Sequence, residues 1–280
     1  MIHGVDISHH NGAINFDKLL STGKAGFVGI RVCHGQTMDT KFYQNLAQVK
    51  AKKIPYFFYW YSEASSIADG QAEARFVLSK ISGTSPLFVA FDAEYSALQA
   101  QTKSITTDII DKSLYIIKQA GYVPYFYTNK NWMINEVDVQ FLKNKGYGFW
   151  YAFYSGQNPD NANYSAMCDM WQYSDQINLP GNGSSAIDLN VCYNADLIRK
   201  ITGGNVNSDF CDTTHPFSKD IGDTYQFKTG SPIKSGNENI FRFVSQTQSG
   251  GYYFTKFKAV GKGSAGFYLG DKRIVIGTVE

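Results

Sequence analysis

Eight short apolar runs, set at intervals along the first 191 residues, constrain this chain more than any other feature. They are Ile2–Asp6, Phe27–Val32, Pro55–Tyr61, Leu87–Asp92, Val123–Thr128, Phe149–Phe153, Met170–Tyr173 and Ile187–Val191. Several are apolar without alternation, as expected of strands buried on both faces. Helix-length segments follow the first five: Phe16–Ser21, Thr40–Lys52, Ser66–Ile81, Thr106–Ala120 and Asn131–Lys145. Gly121 and Gly146 stand where helix C-terminal glycines belong, and Pro55 and Pro124 each open a strand, where a missing N–H costs least. The later gaps, 154–169 and 174–186, are rich in Gly, Asn and Ser and lack helical periodicity. Five strand–helix units followed by three strands predict an α/β fold with a parallel or mostly parallel barrel.

In such barrels chemistry gathers at the C-terminal ends of strands. Asp92-Ala93-Glu94 directly follows the run Pro86–Phe91. Residues i and i+2 of a strand share a face, so both carboxylates are expected side by side at one strand end. Two acids so close cannot both ionise freely, and one pKa is expected to rise. A protonated acid beside an anion is what glycosidic bond cleavage requires. Asp6 and Asp188 also fall at or near strand ends, although Asp188 lies early in its run.

Composition removes other classes. A net charge of +2 is too weak for a nucleic-acid binder. No stretch approaches the length of a membrane span. Cys33, Cys168, Cys192 and Cys211 form no CxxC pair and are expected to be buried free thiols, three of them on strands. His9-His10 beside Asp6 could suggest a metal, but adjacent side chains on a strand diverge, so no metal or other cofactor is expected. Met1–Asp6 enters the first strand directly, which predicts a protein made without a signal peptide.

Further motifs surround the acid pair: Asp6-Ile7-Ser8, Asn11-Gly12, Phe27-Val28-Gly29-Ile30-Arg31, Gly35-Gln36-Thr37, Trp171-Gln172-Tyr173 and Ile187-Asp188-Leu189-Asn190-Val191. Together with Phe91-Asp92-Ala93-Glu94, and in this order, residues 1–200 closely resemble the glycoside hydrolase family 25 lysozymes, the Chalaropsis-type muramidases. The resemblance implies a modified TIM-type (β/α)5(β)3 barrel. It implies hydrolysis of the β-1,4 bond between N-acetylmuramic acid and N-acetylglucosamine in peptidoglycan glycan strands. It implies Glu94 as general acid, Asp92 as the carboxylate beside the substrate's 2-acetamido group, and Asp6 and Asp188 as the other acids of the groove. Tyr59, Tyr127, Trp150, Tyr154, Trp171 and Arg31 match or replace substrate-binding positions. Arg31 stands where the family usually has Lys, and Phe57-Phe58 where it usually has Tyr-His, with Tyr59, Tyr61 and Glu63 as partial substitutes. A chitinase-like glycosidase and an inactive wall-binding protein are the alternatives.

Residues 201–212 look like a linker. The alternating pieces Thr224–Thr229, Ile240–Gln246, Tyr252–Ala259, Gly266–Leu269 and Ile274–Val279 follow, divided by turn signals that include Gly250-Gly251. They predict a small all-β sandwich over 213–280. Gly222–Lys228 and Ala259–Gly266 resemble bacterial Ig-like modules, which implies attachment to Gram-positive cell wall. Tyr252-Tyr253-Phe254 and Phe267-Tyr268 are its candidate contacts, although alternation buries about half of such rings. A catalytic barrel, a wall-binding tail and no signal peptide resemble a bacteriophage endolysin, made in the bacterial cytoplasm and released through a holin. A bacterial autolysin is the other reading.

Overall fold

The computed structural model describes residues 1–202, 210–249 and 252–280, with backbone alone at 248 and 249. The described residues form two compact units, Met1–Ile201 and Thr202–Glu280.

The first unit opens with β1 (Ile2–Ile7), α1 (Phe16–Ser21), β2 (Val28–His34) and the two-residue β3 (Thr37–Met38). Then come α2 (Phe42–Ala51), β4 (Tyr56–Tyr61), α3 (Ile67–Ile81), β5 (Val89–Asp92), α4 (Ser96–Gln99) and α5 (Lys103–Gln119). It closes with β6 (Pro124–Asn129), α6 (Lys130–Asn135), α7 (Val139–Asn144), β7 (Gly148–Ala152), β8 (Met170–Ile177), β9 (Ile187–Cys192) and α8 (Ala195–Thr202). All eight expected strands are present. The expected helix Asn131–Lys145 is two helices, because Asp138 caps a fresh start by accepting from the Phe141 amide.

The sheet runs β1-β9-β8-β7-β6-β5-β4-β2-β3, and β1 also pairs with β2, which closes an eight-stranded barrel with β3 as an appendage. Seven strands run parallel around it. The eighth, β9, is antiparallel to both neighbours, β1 and β8. Its first residues therefore lie at the end where the other strands finish. That is why Asp188, early in its run, faces Asp6, late in its own.

Alternation divides the side chains into two cores. Val28, Phe58, Trp60, Val89, Phe91, Phe126 and Trp171 point outward and pack with the helices. Phe57, Phe88, Tyr125 and Trp150 point inward and fill the lumen with Leu197 of α8. Phe57 stacks on Phe88 at 4.3 Å and Phe88 on Tyr125 at 4.0 Å. Rings this large fit because small residues face them: a β-carbon on Gly29 would sit 2.3 Å from the Phe57 ring and 2.8 Å from Asp6 Cβ.

Helices α2, α5 and α7 return to the barrel through one kind of turn. Ile54, Tyr122 and Tyr147 each donate a backbone N–H five residues back, to Val49, Ile117 and Leu142. The turn needs a left-handed residue just before that donor. Gly121 (φ 86°) and Gly146 (φ 81°) supply it after α5 and α7, and Lys53 (φ 54°) after α2.

The second unit is a sandwich. One sheet orders β10 (Phe217–Lys219), β16 (Lys272–Val279), β15 (Gly263–Leu269) and β12 (Ile233–Ser235). The other orders β11 (Thr224–Thr229), β14 (Tyr252–Ala259) and β13 (Phe241–Ser249). Phe227, Phe257 and Phe267 meet between them. The short β10 and β12 carry too few residues to show alternation in the sequence. Of the expected linker 201–212, positions 201 and 202 end α8, and 203–209 lie outside the described residues, as does the Gly250-Gly251 turn. Cys211 already pairs with Thr229 and joins the sandwich core. Tyr252 and Phe267 are buried while Tyr253, Phe254 and Tyr268 are partly exposed, the split that alternation predicts, and Phe243 and Val244 are the large apolar side chains most exposed on this unit's described strands. All four cysteines are buried and free, with Cys33 and Cys192 on barrel strands.

Candidate active site

The C-terminal end of the barrel holds a cavity of about 350 Å³. Inward positions near the strand ends line it: Asp6 on β1, Arg31 on β2, Tyr59 and Tyr61 on β4, Asp92 on β5, Tyr127 on β6, Trp150 on β7, Gln172 on β8 and Asp188 on β9. Glu94, two residues past the strand end at Asp92, completes the acid set. Ser8, His10 and Asn11 form one side of the mouth with Ser185 and Ala186 of the β8–β9 loop. Asn11 holds that side together by donating to the Ala186 carbonyl at 2.9 Å.

Of the four acids lining the cavity, Asp6 is the most heavily tethered. Its Oδ2 accepts from Asn190 at 2.7 Å and from Gln172 at 3.0 Å. A hydrogen bond also joins it to the Asp188 carboxyl, which stands opposite on the antiparallel strand. Like charges directly across a ladder repel, and one shared proton removes the repulsion. Burial, then the Asp6 and Asp175 charges, push Asp188 up to about 9. Burial also raises Asp6, against the opposing pull of Asn190, Gln172, Asp188 and Arg31.

The Asp92 carboxyl is buried, and its Oδ1 has no hydrogen-bond partner among the described residues. Burial, then the Glu94 and Asp6 charges, raise it well above the usual carboxylate range. Glu94 is half-buried, open to the groove, and no side chain holds its carboxyl among the described residues. Burial and then the Asp6 charge raise it. The expected pair sharing one proton is thus a cluster of four acids. The neighbouring charge that raises Glu94 is that of Asp6.

Gln172 links the acids to the aromatic wall. Its Nε2 donates to Asp6 and, at 3.4 Å, to Asp188, while its Oε1 accepts from the Tyr127 and Tyr154 hydroxyls at 2.8 Å each. Trp150 Nε1 donates to Asn190 Oδ1 at 2.8 Å, which orients the amide that serves Asp6. Tyr154 reaches the site through Gln172 and is half exposed at 48%. Arg31 lines the cavity with its Nε bound to Asp39 at 3.0 Å and its terminal nitrogen against His9. Burial disfavours ionised Asp39, and bonds from His9 and Lys41 with the Arg31 charge outweigh it, so its pKa is lowered.

Trp171 corrects the sequence reading. It is fully buried in the outer core, donates to the Phe153 carbonyl at 2.7 Å, and does not line the cavity. Alternation on β8 can turn only one of two neighbours inward, and the inward one is Gln172. Tyr61, expected as a partial substitute, does line the cavity, whereas Gln172 and Asn190 were read only as motif positions and given no role. Their signal was parity: each lies two residues from another inward-facing group, Met170 and Asp188. Phe57 and Phe58 are both buried core residues, and Glu63 pairs with His34 at 3.0 Å, outside the cavity lining.

The pattern of glycosyl hydrolases family 25 matches residues 5–182. The chain belongs to that family. The matched stretch of this family 25 chain includes Asp6, Asp92 and Glu94 and stops before β9 with Asp188 and Asn190. The lysozyme of Streptococcus phage Cp-7 is 30% identical over 125 residues, 42% of this chain and 35% of that relative, so the match spans about a third of the relative's length. Among solved structures, the CTP1L endolysin is 25% identical with a TM-score of 0.60, over 79% of this chain and 74% of that one. The bacterial lysozyme of Streptomyces coelicolor shares the fold at 20% identity and a TM-score of 0.56, over 72% of this chain and 97% of its own.

Proposed function

We propose that this family 25 chain is an N-acetylmuramidase that cleaves the β-1,4 bond between N-acetylmuramic acid and N-acetylglucosamine in peptidoglycan. The observation that carries the reading is the pairing of a groove-facing Glu94, whose pKa is raised, with a buried Asp92 oxygen that has no partner among the described residues. Glu94 gives its proton to the glycosidic oxygen as the bond to C1 breaks. The carbonyl oxygen of the substrate's own 2-acetamido group closes on C1. Asp92 Oδ1 accepts from the amide N–H and stabilises the charge that grows there. Water then adds to C1, reopening the ring to the acetamide, and Glu94 takes back the proton. Substrate assistance suits the site because Asp92 and Glu94 leave one strand together instead of flanking the sugar. Asp6, held by Gln172 and Asn190, supplies further negative charge nearby, while Asp188 beside it keeps a proton.

Digestion of purified Gram-positive walls tests the reading: new reducing ends should be muramic acid. Reducing glucosamine ends would mean the other glycosidic bond is cut, and cleavage of chitin in preference to walls would favour the chitinase-like alternative. Glu94→Gln should lower wall lysis by about two orders of magnitude with folding intact. Near-wild-type lysis would remove Glu94 from its role.

For the second unit we infer attachment to the wall, supported by its resemblance to Ig-like modules and by the exposed Phe243 and Val244. The isolated unit should sediment with intact walls. Release from the cytoplasm by the endolysin route belongs to the same proposal, supported by the likeness to the Cp-7 phage lysozyme and the CTP1L endolysin. Co-expression with a holin should then be needed for lysis from within.

A further inference from the structure

Lys53 is the one non-glycine residue with positive φ among the described residues. It fills a turn that glycine fills after α5 and α7. A β-carbon in the left-handed region crowds the following carbonyl, so lysine here costs free energy that glycine would not. Residues held in this region cluster at functional sites and ligand clamps. Lys53 gains no ion pair in return. Its neighbour Lys52 binds Asp17, whereas Lys50, Lys53 and Lys200 have no carboxylate partner among the described residues.

These three lysines line one cleft of about 500 Å³. Its other walls are Ile54, Pro55, Tyr56, Ser85, Pro86 and Leu87, and among the described residues no acidic one lines it. The cleft lies at the opposite end of the barrel from the acids. Pro55 and Tyr56 enter β4 and Leu87 precedes β5, while Tyr61 and Asp92 end those strands. Three ammonium groups around one cavity repel each other, and a multiply charged anion relieves that repulsion. Lysines act as point charges that suit phosphate without demanding one orientation. Proline and leucine beside them offer apolar surface for a carbon skeleton.

We propose that this cleft binds a phosphate ester, with Lys50, Lys53 and Lys200 holding the phosphate and the Pro55–Pro86–Leu87 surface its carbon chain. The chemistry fits a phosphodiester polymer of the wall or a small soluble phosphate ester. The test is titration calorimetry on the full chain with three probes: glycerol 3-phosphate, oligo(glycerol phosphate) and uncharged glycerol. Both phosphates should bind, more weakly at high salt, and glycerol should not. Tighter binding of the oligomer identifies a polymer ligand, and equal binding a soluble ester; either upholds the site. Lys53→Gly removes the ammonium and the strain together, so it should raise the thermal midpoint while weakening binding. Combined with Lys50→Gln and Lys200→Gln, it should weaken binding about tenfold or more. Hydrolysis of soluble glycan fragments should stay at the wild-type rate, since the acids lie at the other end. Absence of binding by both phosphates, or binding that the triple variant leaves unchanged, overturns the proposal.

Discussion

At the scale of single residues, the site is governed by who holds each proton. Burial and the neighbouring acids favour the protonated form of Asp92 in the free groove, and an amide N–H presented to its empty Oδ1 favours the anion. Binding of an N-acetylated glycan should therefore release a proton. Calorimetry of a substrate analogue with Glu94→Gln, in buffers of different ionisation enthalpy, measures this, and proton uptake would contradict it. Gln172→Leu should leave Asp6, Tyr127 and Tyr154 each short of a partner, at a cost of about 1–3 kcal/mol. Loss of that donor also raises Asp6 further, so the acid limb of the pH–rate profile should move upward. A variant with unchanged stability and profile would show that the amide clamps nothing. Trp171 and Gln172 also mark what the sequence could tell. Their motif pointed to the right strand, but the direction of each side chain depends on where the pleat begins, which neighbouring strands decide.

At the scale of elements, the barrel depends on β9 running against its neighbours. The expected strands and most helices were legible because their runs are long, apolar and punctuated by Gly and Pro. The direction of β9 was not, since antiparallel and parallel strands read alike and only the lack of a helix in 174–186 hinted at a hairpin. This reversal sets Asp6 against Asp188. Asp188 is held at about 9 in the fold against 3.8 when exposed, so between those values the folded state keeps a proton that the unfolded chain loses. Stability should fall as pH rises through that window. Asp188→Asn should flatten the fall in thermal midpoint between mildly acid and mildly alkaline pH while lowering activity; an equally steep fall would place the linkage elsewhere. On β2, Gly29→Ala pushes a methyl group against Phe57 and Asp6, and should cost about 1–3 kcal/mol and reduce turnover more than substrate affinity.

At the scale of the whole molecule, each unit has a hydrophobic core of its own. A chain ending at Thr202 should fold, hydrolyse soluble glycan fragments at the full rate, and lyse intact cells more slowly if the sandwich attaches to walls. Full lysis of cells by that shorter chain would make the sandwich a spacer. The four clustered acids also change how the native protein looks in an electric field. The formal charge of +2 counts every carboxyl as negative, but Asp188 at least is uncharged at neutral pH. Native protein should migrate as the more cationic species, and unfolding in urea, which frees the acid, should shift its isoelectric point downward. By hiding negative charge inside its groove, the folded enzyme can approach an anionic polymer without the repulsion its own acids would otherwise impose.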